Sequence, residues 1–241
     1  NLGKSYYEIG KNVQSREAFN RVINIDVQYG PAHYYLGLIN ENIMEIEQAV
    51  ESYTLAREYS PYIEDVHYRL GMLLYRTGKL KKAMEPLREF IIYQPESMHV
   101  LEAMGDIFIS ESRFKEAIDT YKRIREENPE KLDVNLALAE SYYQLKDFEN
   151  AINIYEDVLL FDGENVKVMV TMGNIYNDMG WFEEAENIFI DAINCTNPTM
   201  QMYYKLAMTY GNQEKFMSTV LALQEALILA PDDVEIKYQL A

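Results

Sequence analysis

The sequence predicts an all-α fold: an α-solenoid of stacked antiparallel helix pairs, about seven repeats long. Three observations predict it. First, a leucine-glycine pair, Leu2-Gly3, returns every 34 residues, so the glycine slot reads Gly3, Gly37, Gly71, Gly105, Ala139, Gly173, Ala207 and Ala241 with no insertion. Second, the apolar slots inside each period fall three and four residues apart, the spacing that places side chains on one helix face. Third, a breaker closes many periods, as Pro61, Pro95, Pro129 and Pro231, with Val27, Gly163 and Asn197 in the others. A fixed period of this length marks stacked supersecondary units rather than one globular core.

Each unit holds two helices. The first carries the glycine slot, led by Leu or Met, with an aromatic three residues on: Tyr6, Phe108, Tyr142, Tyr176 and Tyr210, departing at Asn40 and Leu74. A short turn follows, with glycine at Gly10, Gly78 and Gly180. The second helix carries a small slot (Ala49, Ala83, Ala117, Ala151, Ala185, with Ser15 and Thr219 at the ends). Four residues later comes a bulky one: Phe19, Tyr53, Leu87, Tyr121, Tyr155, Phe189 or Leu223. In the fourth unit these signals predict helices over Met98–Ser110 and Phe114–Glu127, the second ended by Asn128-Pro129 because proline cannot continue a helix. The small slots let paired helices approach closely, so Gly105→Leu is expected to overpack the seam and cost about 1–3 kcal/mol. Pro86 lies inside a second helix and is expected to bend it.

These slots resemble the tetratricopeptide repeat, whose signature is a leucine-glycine pair, a tyrosine, a small residue, an aromatic, a second small residue and a proline over 34 residues. The resemblance covers the whole chain. It implies a right-handed superhelix with the first helices lining its concave side. The expected organisation is one continuous array, 1–241, without a linker. A truncated first repeat occupies 1–29, and six repeats follow at 30–63, 64–97, 98–131, 132–165, 166–199 and 200–233. A partial helix closes the chain at 234–241. Both ends fall inside a repeat and lack a polar cap, so a piece of a longer protein is expected.

The net charge of −17 disfavours nucleic acid and anionic membrane surfaces, which require Lys and Arg patches. No stretch approaches 18 apolar residues, so membrane insertion is not expected. Cys195 is the only cysteine; it has no internal disulfide partner and is expected to be buried or half-buried, and the compartment is expected to be cytoplasmic. His33 and His67 share one slot, which argues for packing rather than metal ligation. Trp181 is expected to be a partly buried turn residue. Phosphate loops, Cys-x-x-Cys pairs and nucleophile–base motifs are absent, so neither an enzyme active site nor a cofactor or metal is expected.

The resemblance implies that ligand-facing slots precede the glycine by three or six residues, or follow it by one, four or five. These slots hold the candidate peptide-binding residues Tyr34, Glu41, Asp65, Tyr68, Tyr75, Glu102, Asp106, Asp133, Glu140, Tyr143, Asp178 and Tyr204. Lys4, Arg76 and Lys167 are the cations in the same slots. An acidic, tyrosine-rich groove suits a partner segment with Lys or Arg and apolar anchors. The expected function is a protein–protein interaction scaffold. Two alternatives are a targeting segment of a larger enzyme and a homotypic module that self-associates through its uncapped repeat ends. The lysine- and asparagine-based grip of the chaperone-binding subtype does not fit these acids, and the asparagine ladder two residues before the glycine slot is missing.

Overall fold

A computed structural model describes residues 2–240. Among them the chain is entirely helical. Three pairs open it: α1 (Leu2–Glu8) with α2 (Asn12–Ile25), α3 (Gly30–Asn42) with α4 (Ile46–Tyr59), and α5 (Glu64–Arg76) with α6 (Leu80–Tyr93). Next come α7 (Met98–Ser110), α8 (Phe114–Glu127), α9 (Leu132–Gln144) and α10 (Phe148–Phe161). The chain continues through α11 (Val166–Asp178), α12 (Phe182–Cys195), α13 (Met200–Asn212), α14 (Phe216–Leu229) and α15 (Val234–Leu240). It divides into two compact units, Asn1–Thr120 and Tyr121–Ala241, and the division falls within α8.

The glycine slot is where paired helices come closest. A Cβ added to Gly37 would lie 2.5 Å from the Tyr53 ring, and one added to Gly173 would lie 2.6 Å from the Phe189 ring. Both rings are fully buried. Ala49, Ala83, Ala151 and Ala185 are fully buried as well, so the small slots leave room for the bulky ones beside them. At the first pair Ser15 takes the alanine slot, and its buried hydroxyl donates to the Gly3 carbonyl at 2.8 Å.

The turn between paired helices uses one conformation throughout. Gly10, Gly78 and Gly180 have φ of 73°, 73° and 76°. Met44, Ser112, Lys146 and Glu214, in the same slot of the other repeats, have φ of 62°, 57°, 59° and 58°. The tight reversal requires the left-handed region whatever the residue, at about 1–2 kcal/mol for a non-glycine.

The junction between successive pairs is closed by a buried donor. His33 Nε2 and His67 Nε2 donate to the carbonyls of Val27 and Pro61, at 2.7 and 2.6 Å. Asn135, in the same slot, donates from Nδ2 to the Pro129 carbonyl at 2.7 Å. The two histidines are therefore packing residues with a specific backbone task. His67 Nδ1 also lies 2.7 Å from Glu89 Oε2, outside hydrogen-bonding geometry. Arg57 bridges α4 to α6 by two hydrogen bonds to Glu89, both 2.7 Å, which hold that carboxyl below its ordinary pKa. Two repeats later, the same slots hold the ion pair Arg125–Asp157.

Three side chains complete the comparison with the sequence. Pro86 is buried within α6, which runs unbroken from Leu80 to Tyr93. Cys195 is exposed, contrary to the burial expected of it, because it ends α12 and the chain then turns extended at Thr196. Trp181 caps the start of α12 and is 48% exposed, its ring stacked on Tyr176 with centroids 6.1 Å apart.

Candidate functional site

In the unit Asn1–Thr120, the exposed side of the first helices is a network of tyrosines, carboxylates and arginines. Tyr34 on α3 donates to Asp65 on α5 at 2.6 Å. Arg69, one turn along α5, donates to Asp65 at 2.5 Å and to Glu41 at 3.2 Å. Glu41 also accepts from Arg76 at 3.1 Å and from the buried Tyr53 hydroxyl at 2.7 Å. Burial first, and then the carboxylate each one faces, push the Tyr34 and Tyr53 phenols well above their ordinary range. Glu41 and Asp65 are therefore charge-compensated, which corrects the expectation that they line a simply acidic groove. Arg69 projects from the slot two before Gly71, outside the slots that the resemblance implies to face a ligand.

Further along the same unit the character changes. Tyr75 on α5 donates to Asp106 on α7. Burial, that hydrogen bond and the charges of Asp106 and Glu102 push the Tyr75 hydroxyl up to about 12. Tyr75, Glu102 and Asp106 thus come together as a half-exposed ring flanked by two carboxylates. Tyr68 is half-buried against Phe90, with ring centroids 5.2 Å apart, and takes a packing role.

In the unit Tyr121–Ala241, Tyr143 on α9 also has two carboxylates near it, Glu140 on its own helix and Asp178 on α11. Its phenol is raised by burial and then by the charges of Asp178 and Glu140. The ring also packs near Phe148, with centroids 6.1 Å apart. Glu140 accepts from the Tyr155 hydroxyl at 3.3 Å and from Gln144 at 2.7 Å. Asp133 and Asp178 are exposed. A cleft of about 430 Å³ lies beside Glu140, lined by Tyr155, Lys167 and Thr171 among others.

A second cleft of this unit, about 560 Å³, brings Asp178 and Tyr204 together with Asn174, Asn177, Gln201, Lys205 and Asn212. Lys205 donates to Asn174 at 2.7 Å, and Asn177 donates to Thr209 at 2.9 Å. The buried Oδ1 of Asn177 has no hydrogen-bond partner. The amides were legible by position, since Asn174, Asn177, Gln201 and Asn212 occupy the slots implied to face a ligand. A reading weighted toward charge and tyrosine passed them over.

Among the described residues no cluster of His, Cys, Asp and Glu is placed to hold a metal, and no helix is long and apolar enough to cross a membrane.

Helix pairs of fixed 34-residue length, closed by glycine-to-ring seams and carrying their polar side chains on the first helices, define a repeat scaffold of the α-solenoid class. Three profiles described as tetratricopeptide repeat match residues 65–97, 108–163 and 166–194. The chain belongs to the tetratricopeptide repeat family. No curated protein matches it. Among solved structures, the MamA protein shares 15% identity with a TM-score of 0.64, over 74% of this chain and 96% of that one. The C-terminal part of a repeat-containing protein from Cytophaga hutchinsonii shares 12% identity with a TM-score of 0.71, over 99% and 98%. YrrB, described as a repeat protein with an unusual peptide-binding site, shares 15% identity with a TM-score of 0.54, over 93% and 98%. At these identities the likeness is one of fold. The repeats make the chain a protein-interaction scaffold as a class and point to a non-catalytic role.

Proposed function

We propose that the first-helix face of each unit holds an extended or helical segment of a partner protein, anchored by Lys or Arg side chains and apolar residues. The observation that carries this reading is a tyrosine with two carboxylates near it in each unit: Tyr75, hydrogen-bonded to Asp106 and near Glu102, and Tyr143, near Asp178 and Glu140. A cation over such a ring meets the electron-rich face of the phenol and two anions at once. Cation–π contacts of this kind contribute about 0.5–2 kcal/mol, depending on desolvation. The amide-lined cleft of the second unit supplies donors and acceptors suited to a peptide backbone. Because the carboxylates are largely exposed, binding is modest and weakens with salt.

The test is a titration with a Lys/Arg-containing peptide and an uncharged peptide of the same length. The double change Glu102→Lys with Asp106→Lys is expected to weaken the basic peptide at least about tenfold, a change of about 1.4 kcal/mol, and to leave the uncharged control unchanged. Equal effects on both peptides would remove the electrostatic half of the reading.

A further inference from the structure

Between Asp65 and Glu85 the chain holds no acid and five cations, Arg69, Arg76, Lys79, Lys81 and Lys82, although acids outnumber Lys and Arg 39 to 22 overall. Arg69 and Arg76 are held by Asp65 and Glu41. The three lysines are exposed, and their side chains have no hydrogen-bond or ion-pair partner among the described residues. The lysines also sit where a helix favours them least. The N-terminus of a helix carries partial positive charge, so acids suit its first turn. In α4, α8, α10 and α12 that turn holds Glu47, Glu116, Glu149, and the pair Glu183 and Glu184. In α6 the slots of Glu183 and Glu184 hold Lys81 and Lys82, and Lys79 is the capping residue before them.

The cluster is gathered around a cavity. Lys79, Lys81 and Lys82 line a cleft of about 570 Å³, with Leu80 from the same turn and Ser110 and Glu111 from the end of α7. Glu111, the carboxylate of this lining, is paired with Arg113 at 3.2 Å, and Arg113 also holds Glu116 at 2.8 Å. The lysines therefore keep their field. Lys115, exposed one period after Lys81, extends the positive charge to α8.

We propose that this cleft takes a short acidic segment of a partner protein, with two or more carboxylates meeting Lys79, Lys81 and Lys82 and an apolar side chain meeting the half-buried Leu80. Charge complementarity selects this occupant. At physiological salt a charge is felt over about 8 Å, so a short ligand in the cleft responds to the cluster and little to the distant acids. A long polyanion such as nucleic acid would run past the lysines onto the acids beyond them, Glu85 on α6 and Asp119 on α8, both exposed. The cleft lies at the turns between paired helices and is opposite in sign to the Tyr75, Glu102 and Asp106 cluster. It does not depend on the first-helix binding reading, and the scaffold would join partners of opposite charge.

Fluorescence anisotropy of a labelled octapeptide with four glutamates and one leucine, titrated with the 241-residue chain at about 0.15 M salt, tests the proposal. The expected result is saturable binding that is lost at about 1 M salt, and none for the peptide with glutamines in place of the glutamates. Lys81→Glu with Lys82→Glu should weaken binding at least about tenfold. The melting temperature should stay level or rise, because the new acids suit the helix dipole. Lys79→Gln should weaken binding about threefold, and carries the test if the double variant does not fold. Glu111→Gln should strengthen it. A Lys/Arg-containing peptide should bind these lysine variants no more weakly than the unaltered chain, which separates this cleft from the first-helix face. Absence of binding by the unaltered chain overturns the proposal, as does binding that ignores the lysine changes. So does an oligonucleotide of the same charge that binds these lysines more tightly than the acidic peptide.

Discussion

The two units present the same slots and fill them with different chemistry. In Asn1–Thr120, Arg69 and Arg76 sit among Glu41, Asp65, Tyr34 and Tyr53, so much of the first-helix face is an internally satisfied ionic network. In Tyr121–Ala241, Asn174, Asn177, Gln201 and Lys205 line an open cleft in which Asn177 retains an unused acceptor. The lesson is that the repeat fixes where a side chain points but not what it does. A carboxylate beside an arginine one turn away is structural, and one beside a tyrosine and a second carboxylate keeps a field to offer a ligand.

Four tests would break or sharpen that comparison. The largest effect should fall on the shared frame. Gly37→Leu and Gly173→Leu each push a side chain into a buried ring and are expected to cost about 2–3 kcal/mol, measured by chemical denaturation. A large loss in only one unit would mean that the frame is not shared. The next effect should separate the units. Arg69→Met strips two half-buried carboxylates of a partner and is expected to cost about 2 kcal/mol. Lys205→Met, at a more open amide site, should cost under about 1 kcal/mol. Equal losses would erase the contrast between a satisfied network and an open cleft.

A smaller gain is expected at the turns. Met44→Gly and Lys146→Gly relieve a left-handed conformation, partly offset by glycine's entropy, and should stabilise by about 0.5–1 kcal/mol in thermal melts. The smallest effect is with pH. Arg57 holds the Glu89 carboxyl below its ordinary value of 4.5. A depressed carboxylate stabilises the fold above its unfolded pKa, and that contribution is lost as pH falls through the lower folded value. The acid side of a stability profile should therefore flatten below pH about 4.5 in Arg57→Leu, by about 1 kcal/mol or less for this partly buried, solvent-screened pair. A profile identical to wild type would show that the bridge adds nothing.

The sequence shows the helix pairs, their register and the close seams because a slot repeated every 34 residues is a local signal seen many times over. The turn at Met44, Ser112, Lys146 and Glu214 was less legible, since the backbone there needs a left-handed residue and the side chains do not announce it. The ionic network was hidden for a related reason. Arg69 meets Asp65 along one helix but reaches Glu41 on another, 28 residues away, and only packing shows that the slots face each other. Cys195 was misread because burial was inferred from its residue type, whereas its place at the last turn of a helix leaves it in water.

The most direct test of the binding claim is to follow individual tyrosine resonances of the labelled chain while a Lys/Arg-containing peptide is added. The account predicts that Tyr75 and Tyr143 shift together with increasing peptide and that added salt reverses the shift, while Tyr62, exposed in the turn between α4 and α5, stays in place. Saturation of the chain with no movement at Tyr75 or Tyr143, or movement unaffected by salt, would contradict it.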